Sequence, residues 1–252
     1  MKNLLIIIII LFSIAYTQCD ANEDGNLNIQ DVVINVNCIL EDCWESDTTY
    51  TCIDIEGNIY ETIQIGEQWW MAENLKVTKF RNGSYIPTGY SNDQWSNLET
   101  PAYAIYNNNQ THADTYGNLY NGYIVDDDRG ICPENWHIPT NDEFLILIDY
   151  LGGSVVAGGA LKECLQGYCP SSNYWNNPNT GATNSSGFSA LPGGHRSPIS
   201  GTYYGESIWG YFWTSTSSIN NAYEWYVGYN DIEAFNSNSM RKIGLSIRCL
   251  QD

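Results

Sequence analysis

Chemistry is most concentrated in Asp20 to Asp31, DANEDGNLNIQD. Oxygen-bearing side chains fall at loop positions 1, 3, 5, 9 and 12, namely Asp20, Asn22, Asp24, Asn28 and Asp31. Gly25 occupies position 6, where such a loop turns sharply, and Asn26 at position 7 offers its backbone carbonyl. A hard cation needs six to eight oxygens brought round one point, and this is the spacing of a calcium loop. The other reading is an Asp/Asn-rich turn that holds no metal. Asp126, Asp127 and Asp128 offer a second acidic cluster, read as a solvated turn with calcium as the alternative.

Catalytic constellations are sparse. The three histidines are His112, His137 and His195. His137 sits in a Trp-His-Ile segment of strand character and reads as structural, whereas His195 follows Gly193 and Gly194 and is placed for exposure. The chain has no serine nucleophile elbow, no H-E-x-x-H and no C-x-x-C. No catalytic residue is therefore assigned. Aromatic residues are plentiful, with 19 Tyr and 9 Trp. Trp175, Tyr203, Tyr204, Trp209 and Trp225 are candidates to stack on sugar rings or to anchor a protein surface. For Trp213 and Trp225 a core role is favoured, because GYFW and WYVGY alternate like buried strands.

The elements that would position these groups follow from the order of the chain. Met1 to Gln18 reads as a secretory signal peptide, with Lys2 ahead of an apolar run from Leu4 to Phe12 that is too short to span a bilayer. No second apolar span follows. Tyr16, Thr17 and Gln18 lack the small residues that lipidation of Cys19 would need. The mature chain is thus expected outside the cell membrane, secreted or on the bacterial surface, with its cysteines as disulfides. The net charge of −19, from 10 basic and 29 acidic residues, disfavours nucleic acid and anionic membranes as partners. Residues 19–43 hold the calcium loop and a following helix, residues 44–51 are a linker, and residues 52–252 are the main domain. Cys38, Cys43 and Cys52 flank the linker and are expected to pair among themselves and with Cys19. Cys164 and Cys169 enclose a short loop and are expected to pair with each other.

In the main domain, Ile53 to Ile65 alternates about a turn at Glu56-Gly57-Asn58 and predicts a hairpin. Arg81 to Gln110 reads as loops with short strands. Thr140 stands at a helix N-cap, Asp142 and Glu143 follow in the first turn, and Phe144, Leu147, Ile148 and Leu151 repeat at helical spacing. Gly152 and Gly153 end this helix, the main one expected. Val155 to Leu161 is small and apolar. Tyr211 to Thr216, Glu224 to Tyr229 and Gly244 to Leu250 read as strands.

Two resemblances sharpen this reading. Asp31 in place of the usual bidentate Glu, with the apolar face Ile29, Val32, Val33, Val36 and Leu40 behind it, resembles one repeat of a type I dockerin. Dockerins imply a cohesin partner. That implication is weakened here, because Asp54 to Asn58 lacks the spacing of a second repeat. The blocks DIEGNIYETIQIGEQWWMAENLKV, TYGNLYNGYIV, RGICPENWHIPTNDEF, LGG, GFSALPGGHR, GYFWTSTS and SIRCL resemble, in order, the Fibrobacter succinogenes major paralogous domain. This resemblance implies a secreted α+β module of C-type-lectin-like architecture, with short antiparallel strands, long loops and one main helix, similar to formylglycine-generating sulfatase modifiers. It also implies that Cys132 is tied to Cys249 in the last strand. The expected function is a non-enzymatic binding or cell-surface module for glycan or protein ligands, with calcium as its cofactor. The alternatives are an extracellular enzyme, or an enzyme-associated subunit, acting on polysaccharide, and a purely adhesive surface protein.

Overall fold

Alternating residues in short segments pair into three antiparallel sheets. The computed structural model describes residues 50–165, 169 and 171–252. The calcium-loop candidates Asp20, Asn22, Asp24, Asn26, Asn28 and Asp31 lie outside the described residues, as do Cys19, Cys38 and Cys43. The unit described below runs from Thr49 to Asp252. Its first sheet contains β1 (Thr51–Ile53), β2 (Ile59–Ile65), β3 (Gln68–Met71), β13 (Leu250–Gln251) and β6 (Trp136–His137), side by side in that order. The second runs β4 (Tyr103–Ala104), β5 (Leu119–Asn121), β12 (Gly244–Leu245), β7 (Gly193–Arg196), β8 (Tyr203–Glu206). The third has β10 (Asn221–Gly228) between β9 (Trp209–Ser217) and β11 (Ala234–Met240). Four α-helices complete an α+β unit: α1 (Asn92–Ser96), α2 (Gln110–Tyr116), α3 (Asn141–Tyr150) and α4 (Ser154–Leu161). Among the described residues no single helix is long and apolar enough to cross a membrane.

Helix α3 forms for the expected reason. The Thr140 hydroxyl accepts from the Glu143 N–H, and the Glu143 carboxylate accepts from the Thr140 N–H at 2.7 Å, which closes a capping box. Burial acts to raise the Glu143 pKa, but bonds from Thr140 and His137 outweigh it and hold the carboxyl below the usual carboxylate range. Phe144, Leu147 and Ile148 face inward. There Phe144 stacks on Trp225 at 5.9 Å and meets Trp70 at 5.1 Å edge to face. Phe188 and Phe212 close this aromatic core. A second core gathers Tyr60, Tyr120, Trp213, Ile247 and the Cys132–Cys249 disulfide.

Several expectations change. Val155 to Leu161 is helical, because Gly158 and Gly159 let α4 touch other backbone. A Cβ built on Gly158 would lie 2.2 Å from the Glu233 carbonyl oxygen, and one on Gly159 would lie 2.3 Å from that of Gly181. The stretch from Arg81 to Gln110 contains helix α1, capped by a Ser91–Gln94 capping box. The expected closing strand is split into β12 and β13, between which Arg248 turns into the interior. Among the described residues Cys52 is a buried free thiol; burial pushes it up to about 12. It packs in the second core, and this corrects the expectation that it pairs in the N-terminal set. In the second acidic cluster Arg241 and Ser217 engage Asp126, and Arg129 holds both carboxylate oxygens of Asp127. His137 is structural: its Nδ1 lies 2.7 Å from the Asp252 carboxylate and its Nε2 3.1 Å from that of Glu143, so it clasps the chain end to the cap of α3.

The interior holds cations with backbone acceptors. Lys162 donates from Nζ to the carbonyls of Thr180, Gly228 and Asp231 at 2.8, 2.9 and 2.6 Å. Arg196 donates to the carbonyls of Gly201 and Tyr90, and its guanidinium lies 4.3 Å over the Trp95 ring. Arg241 donates to the carbonyls of Gly122 and Ser218 as well as to Asp126. Arg248 donates to Asn74 Oδ1 and to the carbonyls of Phe188 and Ser189. Each of the four ties together chain segments distant in sequence.

Candidate functional site

The third sheet buries one face and leaves part of the other open. Trp225, Val227, Phe212 and Ala234 point to the helices and join the aromatic core. The opposite face carries Trp209, Tyr211 and Trp213 on β9, Tyr226 and Glu224 on β10, and Phe235 on β11, as the two-residue alternation of strands requires. Register brings Tyr211, Tyr226 and Phe235 into one row, since Tyr226 pairs with both of the others. At one end Trp213 is covered, and its indole N–H donates to the Tyr120 carbonyl. At the other end the rings are half-buried and uncovered.

The row continues into the second sheet. His195 on β7 meets Tyr211 edge to face at 5.4 Å and lies 5.9 Å from Tyr204 on β8, its register partner. Tyr211 and Tyr226 are 5.3 Å apart, and Tyr226 stacks on Phe235 at 5.1 Å. Tyr204, His195, Tyr211, Tyr226 and Phe235 therefore form one strip of touching rings across five strands. Its four successive ring-to-ring distances are 5.9, 5.4, 5.3 and 5.1 Å. Trp209 flanks the strip at 5.6 Å from Tyr226. A Cβ on Gly228 would lie 2.5 Å from the indole and one on Gly205 would lie 3.2 Å from it, so two glycines make the notch in which Trp209 rests.

The strip is electrically quiet. Burial pushes the Tyr211 phenol up, with Tyr226 and Glu224 adding to the effect. Burial pushes His195 down, which favours its neutral form, and its Nδ1 has no hydrogen-bond partner among the described residues. Glu224, beside Tyr226 on the same face of β10, is raised by burial, and its carboxylate accepts from the Ser239 N–H and hydroxyl. Such a surface can press against the C–H face of a ring or an apolar side chain, and the phenol and indole edges supply hydrogen bonds.

The five aromatic candidates read from the sequence separate here, with Trp225 joining the aromatic core. Tyr204, at 52% exposure, and Trp209 belong to the strip. Tyr203 takes the other face of β8, packs on Tyr106 at 5.2 Å and lies under the Arg196 guanidinium. Trp175 is 5% exposed, its indole N–H donates to the Ala190 carbonyl, and it lies in the aromatic core and not on the strip. Tyr211, Tyr226 and Phe235 complete the strip; in the sequence the alternating aromatics of β9 and β10 carry the signal for the first two. Cys132–Cys249 and Cys164–Cys169 are both disulfides, with Cα separations of 5.9 and 5.2 Å. Among the described residues no group of three or more His, Cys, Asp or Glu side chains is placed to hold a metal ion.

Comparison with known families identifies the scaffold that carries the strip. The Fibrobacter succinogenes major domain matches residues 63–251. The chain belongs to this family. The matched part of this Fibrobacter succinogenes major domain protein contains every residue of the strip and the four cysteines that form disulfides among the described residues. No curated protein and no solved structure matches the chain.

Proposed function

We propose that this chain is a secreted or cell-surface binding module of C-type-lectin-like architecture whose ligand face is the aromatic strip, and that its ligand is a neutral glycan. The observation that carries the reading is the strip itself, five touching rings, Tyr204 exposed and the others half-buried, carried on strands of two sheets. Rigid aromatic anchors give contact area at little entropic cost. The net charge of −19 supports a neutral ligand over a polyanion. Two disulfides and the signal-like N-terminus support an extracellular location. The enzyme reading is less favoured, because Glu224, the carboxyl beside Tyr226 on the same face of β10, is 3% exposed and bonded to Ser239. The test is an array of neutral glycans probed with the mature chain. Binding should appear, and Tyr226→Ala should weaken it at least about tenfold, as for a central anchor. A silent array, or equal binding by the variant, rejects the glycan reading, and a silent array points to a protein ligand.

The segment from Asp20 to Asp31 is proposed to bind calcium in the manner of a single dockerin repeat, on the strength of its ligand spacing. Without a second repeat, a cohesin partner is not proposed. Calcium added to the chelator-treated mature chain should raise its helical circular dichroism. A spectrum unchanged up to millimolar calcium rejects the site.

A further inference from the structure

Away from the strip, the turn between β1 and β2, strand β4 and helix α2 border a polar cleft of about 310 Å³. Tyr103 and Ile105 make its apolar wall, and Lys76, Gln110, Asp114 and Asn118 supply polar groups. Glu56 also lines it but is already engaged, accepting from the Thr78 N–H and hydroxyl and lying 3.8 Å from Lys79. Asn118 is 1% exposed. Its Nδ2 donates to the carbonyls of Lys76 and Val77, while its Oδ1 has no partner among the described residues. A buried amide oxygen left unpaired is costly, and a donor bound in the cleft would remove that cost. Neither Lys76 nor Asp114 joins an ion pair among the described residues.

We infer that this cleft binds a small neutral polyol about the size of one sugar ring. The two unpaired charges are of opposite sign, so an anion would face Asp114 and a cation would face Lys76. Hydroxyl groups both donate and accept. They suit a lining in which Asn118 Oδ1 and Asp114 accept, Lys76 donates, and the Gln110 amide does both. The Tyr103 ring and Ile105 would meet the C–H face of such a molecule. The volume is at the low end for small-molecule sites and suits one ring better than a chain.

The test is calorimetric titration of the mature chain with D-glucose, D-galactose and N-acetyl-D-glucosamine, with glycine as a zwitterionic control. At least one sugar should bind saturably in the millimolar range. Asp114 and Gln110 are exposed, so Asp114→Ala and Gln110→Ala should leave the melting temperature unchanged. Each should weaken the sugar at least about fivefold, as expected for losing one ligand hydrogen bond. Tyr226→Ala, on the strip, should leave this binding intact, so the cleft and the strip can fail independently. The inference is overturned if no sugar binds, if glycine alone binds, if both cleft variants bind normally, or if the binding disappears with Tyr226→Ala.

Discussion

Replacing Cys132 and Cys249 together by alanine should lower the unfolding free energy of the mature chain by about 4–5 kcal/mol on the chain-entropy account of cross-links. The bond joins residues 117 apart in sequence, so it encloses nearly half the chain. Both sulfurs are buried in the second core, which adds a packing loss to the entropic one. The bond also fixes the point where the approach to α3 meets the segment that enters β13. The measurement is the denaturant midpoint of the double variant against the parent under oxidising conditions. A loss below about 1 kcal/mol would mean that the packed strands alone hold this junction. Replacing Cys164 and Cys169 should cost less, because they are only five residues apart and entropy grows with loop length.

The second large effect is expected at Arg248. Its guanidinium is fully buried, lies 4.3 Å over Phe188, and donates to Asn74 Oδ1 and to the carbonyls of Phe188 and Ser189. Asn74 in turn donates to the Tyr116 carbonyl, so one arginine links the loop after β3, the loop before β7 and the segment between β12 and β13. Arg248→Met keeps much of the stem but leaves three buried acceptors without donors. The expected loss is about 3–5 kcal/mol. Arg248→Lys should fall between, because an ammonium cannot match the planar fork. Equilibrium denaturation of both variants decides the matter. A methionine variant as stable as the parent would show that water replaces the guanidinium.

What could be read in advance follows the range of the forces involved. The cap of α3 was legible, since Thr140 and Glu143 are three residues apart and settle the helix start locally. The β1–β2 hairpin was legible from its alternation and turn. Helix α4 was not, because its two glycines argue against a helix locally and fit only against Glu233 and Gly181 from elsewhere in the chain. The aromatic site was half legible. Alternation in β9 separates Tyr211 from Phe212, but which face stays open depends on α3 covering one side and Tyr120 covering one end of the other. Trp175 lies in the core and Tyr203 on the other face of β8 for the same reason, since exposure is set by distant segments. The interior cations were invisible, because nothing local distinguishes a lysine destined for three carbonyls from one in solvent.

Those interior cations bear on how the chain meets proteases. The chain has ten Lys and Arg residues, and Lys162, Arg196, Arg241 and Arg248 are buried with their side chains bonded to backbone. An enzyme that cuts after basic residues must draw the basic side chain into its own pocket. At these four positions that requires breaking the links that hold the loops. Susceptibility there is governed by global unfolding, which the Cys132–Cys249 bond opposes, and the folded module presents few basic residues at which such an enzyme can begin.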